Sequence, residues 1–377
     1  MSSDTGVPTA QGRTRLPLVF EEAGRQLGIC NACRYCEGMC AVFPALERRT
    51  VLGRGDISQI ANVCHDCRAC FDACMYSTPH EFGLNIPRAL SAVRAEDYRR
   101  YVWPHRVPRL LRGWPGVFSG AFVACVVVIL LAAAHTGWRG LVTDGSGASS
   151  PYDLIAYGPL LALILLPALY SVLVMLGAAR AYWREVGGAP DGLKGGAVAR
   201  AVWYAATLRY LRGGGEDCYY PEDEKPSAGR RRLHALVMYG FGLCIVSTSA
   251  AAVMQDFLGV EPPYDVLSVP VATGFVGGVG LVVGSAGLLM LKARSSAVTS
   301  FAQMTVKDYG LLVALTFLAL SGLLTLFVRA TPAYGLVYLV HLASVALSFA
   351  AAPYSKFVHL VYRFLALVRD NLESGRT

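Results

Sequence analysis

Eight of the eleven cysteines fall into two runs of identical spacing, Cys30, Cys33, Cys36, Cys40 and Cys64, Cys67, Cys70, Cys74. Each run reads C-x2-C-x2-C-x3-C. Thiolates three residues apart reach three corners of a cuboidal [4Fe–4S] cluster, and in two-cluster ferredoxins the fourth cysteine of a run ligates the other cluster. The spacing therefore predicts one cluster on Cys30, Cys33, Cys36 and Cys74, and a second on Cys64, Cys67, Cys70 and Cys40. Zinc fits less well, because zinc ribbons and fingers pair their ligands across longer spacers. A disulfide framework needs an oxidising compartment, and nothing before Cys30 has the layout of a secretory signal. The common bacterial run has Pro directly after its fourth cysteine. Ala41 and Met75 stand there instead, which bears on the local turn and not on ligation.

Histidines supply a second chemistry. Of the seven, His234, His341, His359 and His135 lie in or at the ends of long apolar stretches, where an ionisable side chain is costly and by default functional. His341 and His359 are spaced by about five helical turns, on one face of a single predicted helix and about 27 Å apart along its axis. That arrangement offers one imidazole near each surface of a membrane. By depth, His359 and His234 pair as the two axial ligands of one haem b, a six-coordinate iron suited to electron transfer. Arg230, Arg231, Arg232, Lys356 and Arg363 are near in sequence and are expected to pair with the haem propionates. His341 and His135 share the opposite side, so a second haem there stays open. His135, followed by Thr-Gly-Trp, reads slightly better as a plain loop residue, and His65, His80 and His105 read as surface or supporting groups.

The elements that must position these residues follow from hydropathy. The chain of 377 residues is 54% hydrophobic and 16% charged, with mean hydropathy +0.43, and the apolar excess lies after residue 115. Six spans without Asp, Glu, Lys or Arg are predicted, at about Val117–Ala134, Leu154–Ala179, Leu233–Gln255, Val266–Leu291, Tyr309–Val328 and Thr331–Ser355. Each is long enough to cross about 30 Å of hydrocarbon at 1.5 Å per residue. Between the cysteine runs, Asp56 or Ser58 is placed as a helix N-cap, Pro87 opens a further helix, and strand alternation is missing. The expected fold is all-α: a helical two-cluster ferredoxin domain followed by a six-helix, cytochrome b-like membrane domain. The domains are placed at 1–28 (a flexible N-terminus), 29–112 (clusters and a basic connector) and 113–377, with a cytoplasmic loop over 180–232.

Basic residues gather in alternate loops. Arg106, Arg109, Arg112, the stretch from Arg180 to Arg232, Lys292, Arg294, Lys307, Arg363 and Arg369 lie on one side. The positive-inside rule puts both termini and the clusters on the cytoplasmic side of a bacterial inner membrane. The net charge of +8 reflects this topology, with no basic cluster interleaved with aromatics that would suit nucleic acid. The run Gly213-Gly214-Gly215 lacks the Gly-Lys-Ser/Thr ending and preceding strand of a phosphate loop. Cys218 reads as a plain loop thiol. Transporters place charges and broken helices at mid-membrane, and these spans have no charge.

Several stretches resemble the tricarballylate/citrate utilization protein B family: the double cysteine run, Gly213–Pro221 leading to Pro226–His234, Tyr239-Gly240-Phe241, and Ala352–Arg363. The likeness runs from Cys30 to Val368. The His341/His359 spacing is also similar to the cytochrome b subunits of nitrate and heterodisulfide reductases. The resemblance implies an electron-transfer protein, an oxidoreductase component more than a stand-alone enzyme. It would reoxidise a separate FAD-dependent dehydrogenase of tricarballylate type and pass electrons through the clusters and haem to membrane quinone. No dinucleotide fingerprint is present, so the flavin belongs to the partner. The alternative is an electron-transfer subunit of a heterodisulfide or thiol reductase.

Overall fold

The helices of the first hundred residues exist to bring loops together, and their ends are set by local chemistry. The computed structural model describes residues 18–107, 114–141, 150–188, 193–212, 218–219 and 226–375. Four helices precede the connector's neighbour: α1 (Leu18–Cys33), α2 (Val42–Glu47), α3 (Arg54–Val63) and α4 (Ala69–Asp72), and α5 (Ile86–Arg100) follows them. The helix α1 begins well before Ile29, and its Phe20 and Leu27 are buried against Leu46, Ile57, Ile60, Leu90 and Val93. The expected flexible N-terminus over 1–28 is therefore corrected from Leu18 onward, because an apolar face at helical spacing packs there. At the start of α3 the cap is Gly53, not Asp56 or Ser58. The Asp56 carboxylate accepts from Gly53 N at 3.0 Å, satisfying a backbone donor that the helix leaves over. Asn85 caps α5 by accepting from Arg88 N, with Pro87 in the first turn.

Among the described residues, eight later helices follow. They are α6 (Trp114–Thr136), α7 (Tyr157–Glu185), α9 (Gly229–Asp256), α10 (Val269–Arg294), α11 (Ala302–Phe327) and α12 (Tyr334–Ala351), with a short α8 (Gly195–Ala206) before α9, and α13 (His359–Glu373) after α12. Five segments are long and apolar enough to cross a membrane: α7, α9, α10, α11 and Tyr334–Tyr354. Within α6, Gly120–Thr136 is a shorter apolar helix. The protein is an all-helical membrane protein with a folded polar head. Among the described residues the β-structure is the antiparallel pair Cys218–Tyr219 with Pro226–Ser227 and one isolated bridge. The connector residues Arg109 and Arg112, and Gly213–Asp217, lie outside the described residues.

Two findings depart from expectation. First, the stretch over 180–232 is not simply loop: α8 packs Ala201 against Leu367 and Val368 of α13. Second, His341 and His359 do not share one helix. Helix α12 ends at Ala351, two 3-10 turns follow (Ala352–Tyr354 and Lys356–Val358), and His359 opens α13. Pro353 has no N–H to continue the ladder, and Ser355 is extended (φ −89°, ψ −179°) with its hydroxyl accepting from Phe357 N.

Helix α13 ties the head to the membrane body. Tyr362 stacks on Tyr98 of α5 at 5.3 Å between ring centres, and meets Tyr182 of α7 at 5.1 Å and Tyr101 at 5.8 Å. Such pairs each contribute about 0.5–1.5 kcal/mol beyond area burial. At its other end Arg48 pairs with Asp370, and buried Arg49 reaches Glu373 at 2.8 Å and Asp56 at 2.7 Å. Helices α9 and α10 approach backbone to backbone. A Cβ on Gly277 would stand 2.7 Å from Gly240 O, and one on Gly240 2.8 Å from Gly277 O. Small residues permit this contact where lipid supplies no hydrophobic drive between helices.

Two outcomes are expected. Gly277→Leu forces α9 off α10 and lowers stability by about 1–3 kcal/mol or more, read as an earlier thermal unfolding in detergent; an unchanged midpoint contradicts the close approach. Asp97, fully buried, accepts from Ser58 Oγ at 2.9 Å and Asn62 Nδ2 at 3.1 Å, yet burial pushes its carboxyl up to about 7. An unfolded Asp titrates near 3.9. Between these values the unfolded chain binds fewer protons, so this group's stabilisation is whole below about pH 4 and is lost as pH rises to about 7. Melting of Asp97→Asn is expected to fall less from pH 5 to pH 8 than melting of the natural chain; parallel curves contradict it.

Candidate cofactor sites

The turns that present the cysteines are held by residues in the left-handed region. Arg34, Asp66 and Arg68 have φ of 54°, 57° and 71°, a conformation that costs a non-glycine residue roughly 1–2 kcal/mol. They alternate with the cysteines and curl the chain so that successive thiols turn inward. Cys30 and Cys33 end α1, Cys64 follows α3, and Cys70 lies in α4. All eight line one pocket together with Leu27, Val42, Phe43, Leu46 and Leu84.

Within that pocket the cysteines separate into two neighbourhoods. Burial, then the proximity of Cys74, Cys36 and Cys33, pushes the Cys30 thiol up to about 12. Burial, then Cys64 and Cys67, does the same to Cys40, again to about 12. Cys70 is raised by burial and then by Cys40, Cys67 and Cys64. The last cysteine of each run thus sits with the first three of the other run. Among the described residues no three His, Cys, Asp or Glu converge on a single ion. A cuboidal cluster makes a different demand, since each of its four irons takes one thiolate. Two sets of four clustered, largely half-buried thiols fit that demand.

Charged side chains brace the second run. Arg94, buried, donates to Ala61 O at 2.9 Å and pairs with Asp66 at 3.8 Å. Burial alone would raise the Asp66 carboxyl, but Arg94, Arg68 and Arg230 hold it below the usual range. Arg230, from the first turn of α9, donates to Asp66 O at 2.5 Å and His65 O at 3.0 Å. It fastens the second cysteine loop to a membrane helix. His65 Nδ1 faces Val63 O at 2.7 Å, so the proton is on that nitrogen.

The histidine cavity adjoins this loop. His234 of α9 and His359 of α13 face each other with ring centres 6.4 Å apart and planes at 88°. Two imidazoles bonded to opposite sides of one first-row metal at about 2 Å would have ring centres roughly 6 Å apart. His359 Nδ1 lies 2.7 Å from Lys356 O, which fixes the proton on Nδ1 and leaves Nε2 as a lone-pair donor. Burial first, then Arg363 and Lys356, pulls the His359 ring down to about 3, so it is neutral at physiological pH. His234 Nδ1 is buried without a partner.

The walls suit a large anionic group. The cavity is about 260 Å³, against the ~10–15 Å³ that admits one water. Its apolar walls include Val237, Met238, Leu288, Leu312 and Leu315. The cations Arg68, Arg230, Lys292, Lys356 and Arg363 outnumber the anions Asp66 and Asp308 on its lining. Asp308 already pairs with Lys292 at 2.8 Å and with Lys356. Arg363 Nε is buried and has no partner, and burial beside Arg94 depresses its guanidinium. An unmatched buried cation is costly, and a carboxylate of a bound group would match it. These residues fit a bis-imidazole haem with two propionates.

The remaining sequence candidates go elsewhere. Arg231 and Arg232 do not line the cavity, and Arg230 spends donors on the cysteine loop. His341 Nδ1 lies 3.0 Å from Ser321 Oγ, and its ring presses on Gly322 of α11. His135 is exposed, with Nε2 3.3 Å from Tyr152 O. The structure gives these two rings separate partners, unlike His234 and His359. Reasoning from sequence overlooked Arg94, Asp66, Lys292 and Asp308; the signal for Asp66 was its place between Cys64 and Cys67.

Comparison with known proteins then decides the family. A family model described as Citrate utilization protein B matches residues 117–377, and the Citrate utilization protein B Fer4-like domain matches residues 23–100. The chain belongs to the citrate utilization protein B family. It is 36% identical over 356 residues to the Citrate utilization protein B of Escherichia coli, covering 94% of this chain and 93% of that one. No solved structure matches. The Fer4-like assignment falls on the helices that present the eight cysteines, and the larger match falls on the membrane body with His234 and His359.

Proposed function

We propose that this protein takes electrons from a reduced flavoprotein dehydrogenase of the citrate and tricarballylate class and delivers them to membrane quinone. Cys30, Cys33, Cys36 and Cys74 hold one [4Fe–4S] cluster, Cys64, Cys67, Cys70 and Cys40 hold the other, and His234 with His359 holds one haem b. When bound, these groups accept and release single electrons at iron. The chain's residues do the rest. His359 keeps its proton on Nδ1 through Lys356 O, so Nε2 stays available as a ligand. Arg363 and Lys356 face the propionates, and Arg230 fixes the loop of Cys67 against the helix of His234.

One observation carries this reading. His65, Asp66, Cys67 and Arg68 line both the cysteine pocket and the histidine cavity, so the two cofactor sites share a wall. Two centres with that relation suit a wire. The basic residues beside them, Arg230 to Arg232, Lys292 and Arg363, favour the cytoplasmic side of a bacterial inner membrane for the head and both termini.

Iron, acid-labile sulfide and haem content of purified variants test the assignment. The natural chain is expected to hold two clusters and one haem, His234→Ala and His359→Ala to lose haem with sulfide unchanged, and His341→Ala to keep it. Cys74→Ser and Cys40→Ser should each lose one cluster's sulfide. Arg363→Gln removes a charge-assisted bond and should weaken haem binding about tenfold or more. A colourless, zinc-containing protein, or full haem in His359→Ala, would sink the proposal.

A further inference from the structure

The wire needs an exit, and a second groove runs along α7 beside the tyrosine stack that packs on α13. The face of α13 bearing His359, Arg363 and Phe364 lines the histidine cavity. An adjoining face buries Tyr362 and Ala366, together with Val358 just before the helix, against Tyr98, Tyr101 and Tyr182. Tyr101, at the outer edge of that stack, is also a wall of a groove of about 570 Å³ along α7. Groove and cavity are therefore joined through the tyrosine rings packed on α13.

The groove is amphipathic from end to end. Its floor is Leu173, Val174, Gly177, Ala178 and Ala181, a single stripe of α7 at helical spacing. Gly177 has no atom within 4 Å of where a Cβ would stand, and Leu173 is exposed on a helix apolar enough to span a membrane. At the water-facing end Arg100 pairs with Glu185 at 3.2 Å, and exposed His105 also lines the groove. At the membrane-facing end Tyr170 bonds to Tyr354, whose hydroxyl donates to Trp103 O at 3.2 Å. Donors at one end and a smooth, small-residue track open to lipid suit a flat ring with electron-rich carbonyl oxygens on an isoprenoid tail. Arg100 provides a positive N–H donor for such oxygens, and the His105 ring a further N–H.

We infer that the groove between Arg100–His105 and Tyr170–Glu185 is the quinone site, with the ring at Tyr101, Arg100 and His105 and the tail along Gly177. The inference rests on the proposed function and names its acceptor site. Electrons reach it singly past Tyr362 and Tyr101. Two of them, with two protons drawn from the aqueous end by way of Glu185 and His105, turn the quinone's two carbonyls into hydroxyls. The partner's reduced flavin loses the same two electrons and two protons, so the exchange balances.

The test uses the full chain with its cofactors in lipid nanodiscs and a photoactivatable azidoquinone bearing a decyl tail. Label is expected on peptides covering 100–105 and 170–185, displaced by unlabelled decylquinone and not by excess phospholipid. Gly177→Phe, whose side chain has open space to enter, should cut that labelling at least fivefold. It should also slow reoxidation of the dithionite-reduced protein by decylquinone at least tenfold, with haem content and reoxidation by ferricyanide unchanged; Leu173→Trp gives a second filled groove. Label elsewhere, or label displaced equally by phospholipid, overturns the site. A natural chain that decylquinone reoxidises, with Gly177→Phe equally fast, overturns the site alone. A natural chain that ferricyanide but no quinone reoxidises overturns the acceptor reading and the site together.

Discussion

The architecture depends on how α13 is wedged between head and membrane body. Its tyrosine, Tyr362, stacks into Tyr98, Tyr101 and Tyr182, while its last turns take the ion pairs of Arg48 and Arg49. An aromatic stack excludes water and tolerates little rotation, and a buried ion pair is intolerant of a missing partner. Together they fix His359 at the head of α13 relative to the cysteine loops. The break after Ala351 is part of the same design. A continuous helix would carry His359 along the axis of α12, whereas two 3-10 turns let α13 leave that axis and lie beneath the head.

Charge is the second constraint. The seam between head and body concentrates Arg68, Arg94, Arg230, Arg363, Lys292 and Lys356 around few carboxylates. Such a surplus disfavours the compact state by itself. Groups that bring negative charge would relieve it, as the proposed thiolate-ligated clusters and haem propionates would. Arg230 links the two pockets by gripping carbonyls of His65 and Asp66.

Much of this was legible in the sequence, and the reasons for success and failure are physical. The cysteine spacing predicts the exchange of fourth ligands, which stays part of the proposal; the structure sets Cys74 near Cys30 and Cys40 near Cys64. Apolar runs without charge announce the spans. That the His234 and His359 rings are neighbours follows from depth alone, because topology puts both at one surface. What escaped depends on packing. Helix α8 has no long apolar run, and its small buried face, Ala197 and Ala201, is visible only against α13. The start of α1 at Leu18 was hidden by a polar, frayed-looking approach. The supposed alignment of His341 with His359 assumed one helix through Pro353, and a proline's missing donor ended it. Asp308 sits just outside a predicted span, so its two lysine partners were out of reach of sequence reasoning.

The central claim is that His234 and His359 clasp one haem against the cluster wall. Their ring planes stand at 88°, and crossed imidazole planes on low-spin ferric iron give a strongly anisotropic electron paramagnetic resonance spectrum, unlike parallel planes. Low-temperature spectra of the oxidised protein should therefore show such a highly anisotropic low-spin signal, abolished in both His234→Ala and His359→Ala. A high-spin haem signal, the spectrum of near-parallel rings, or no haem signal at all would contradict the account.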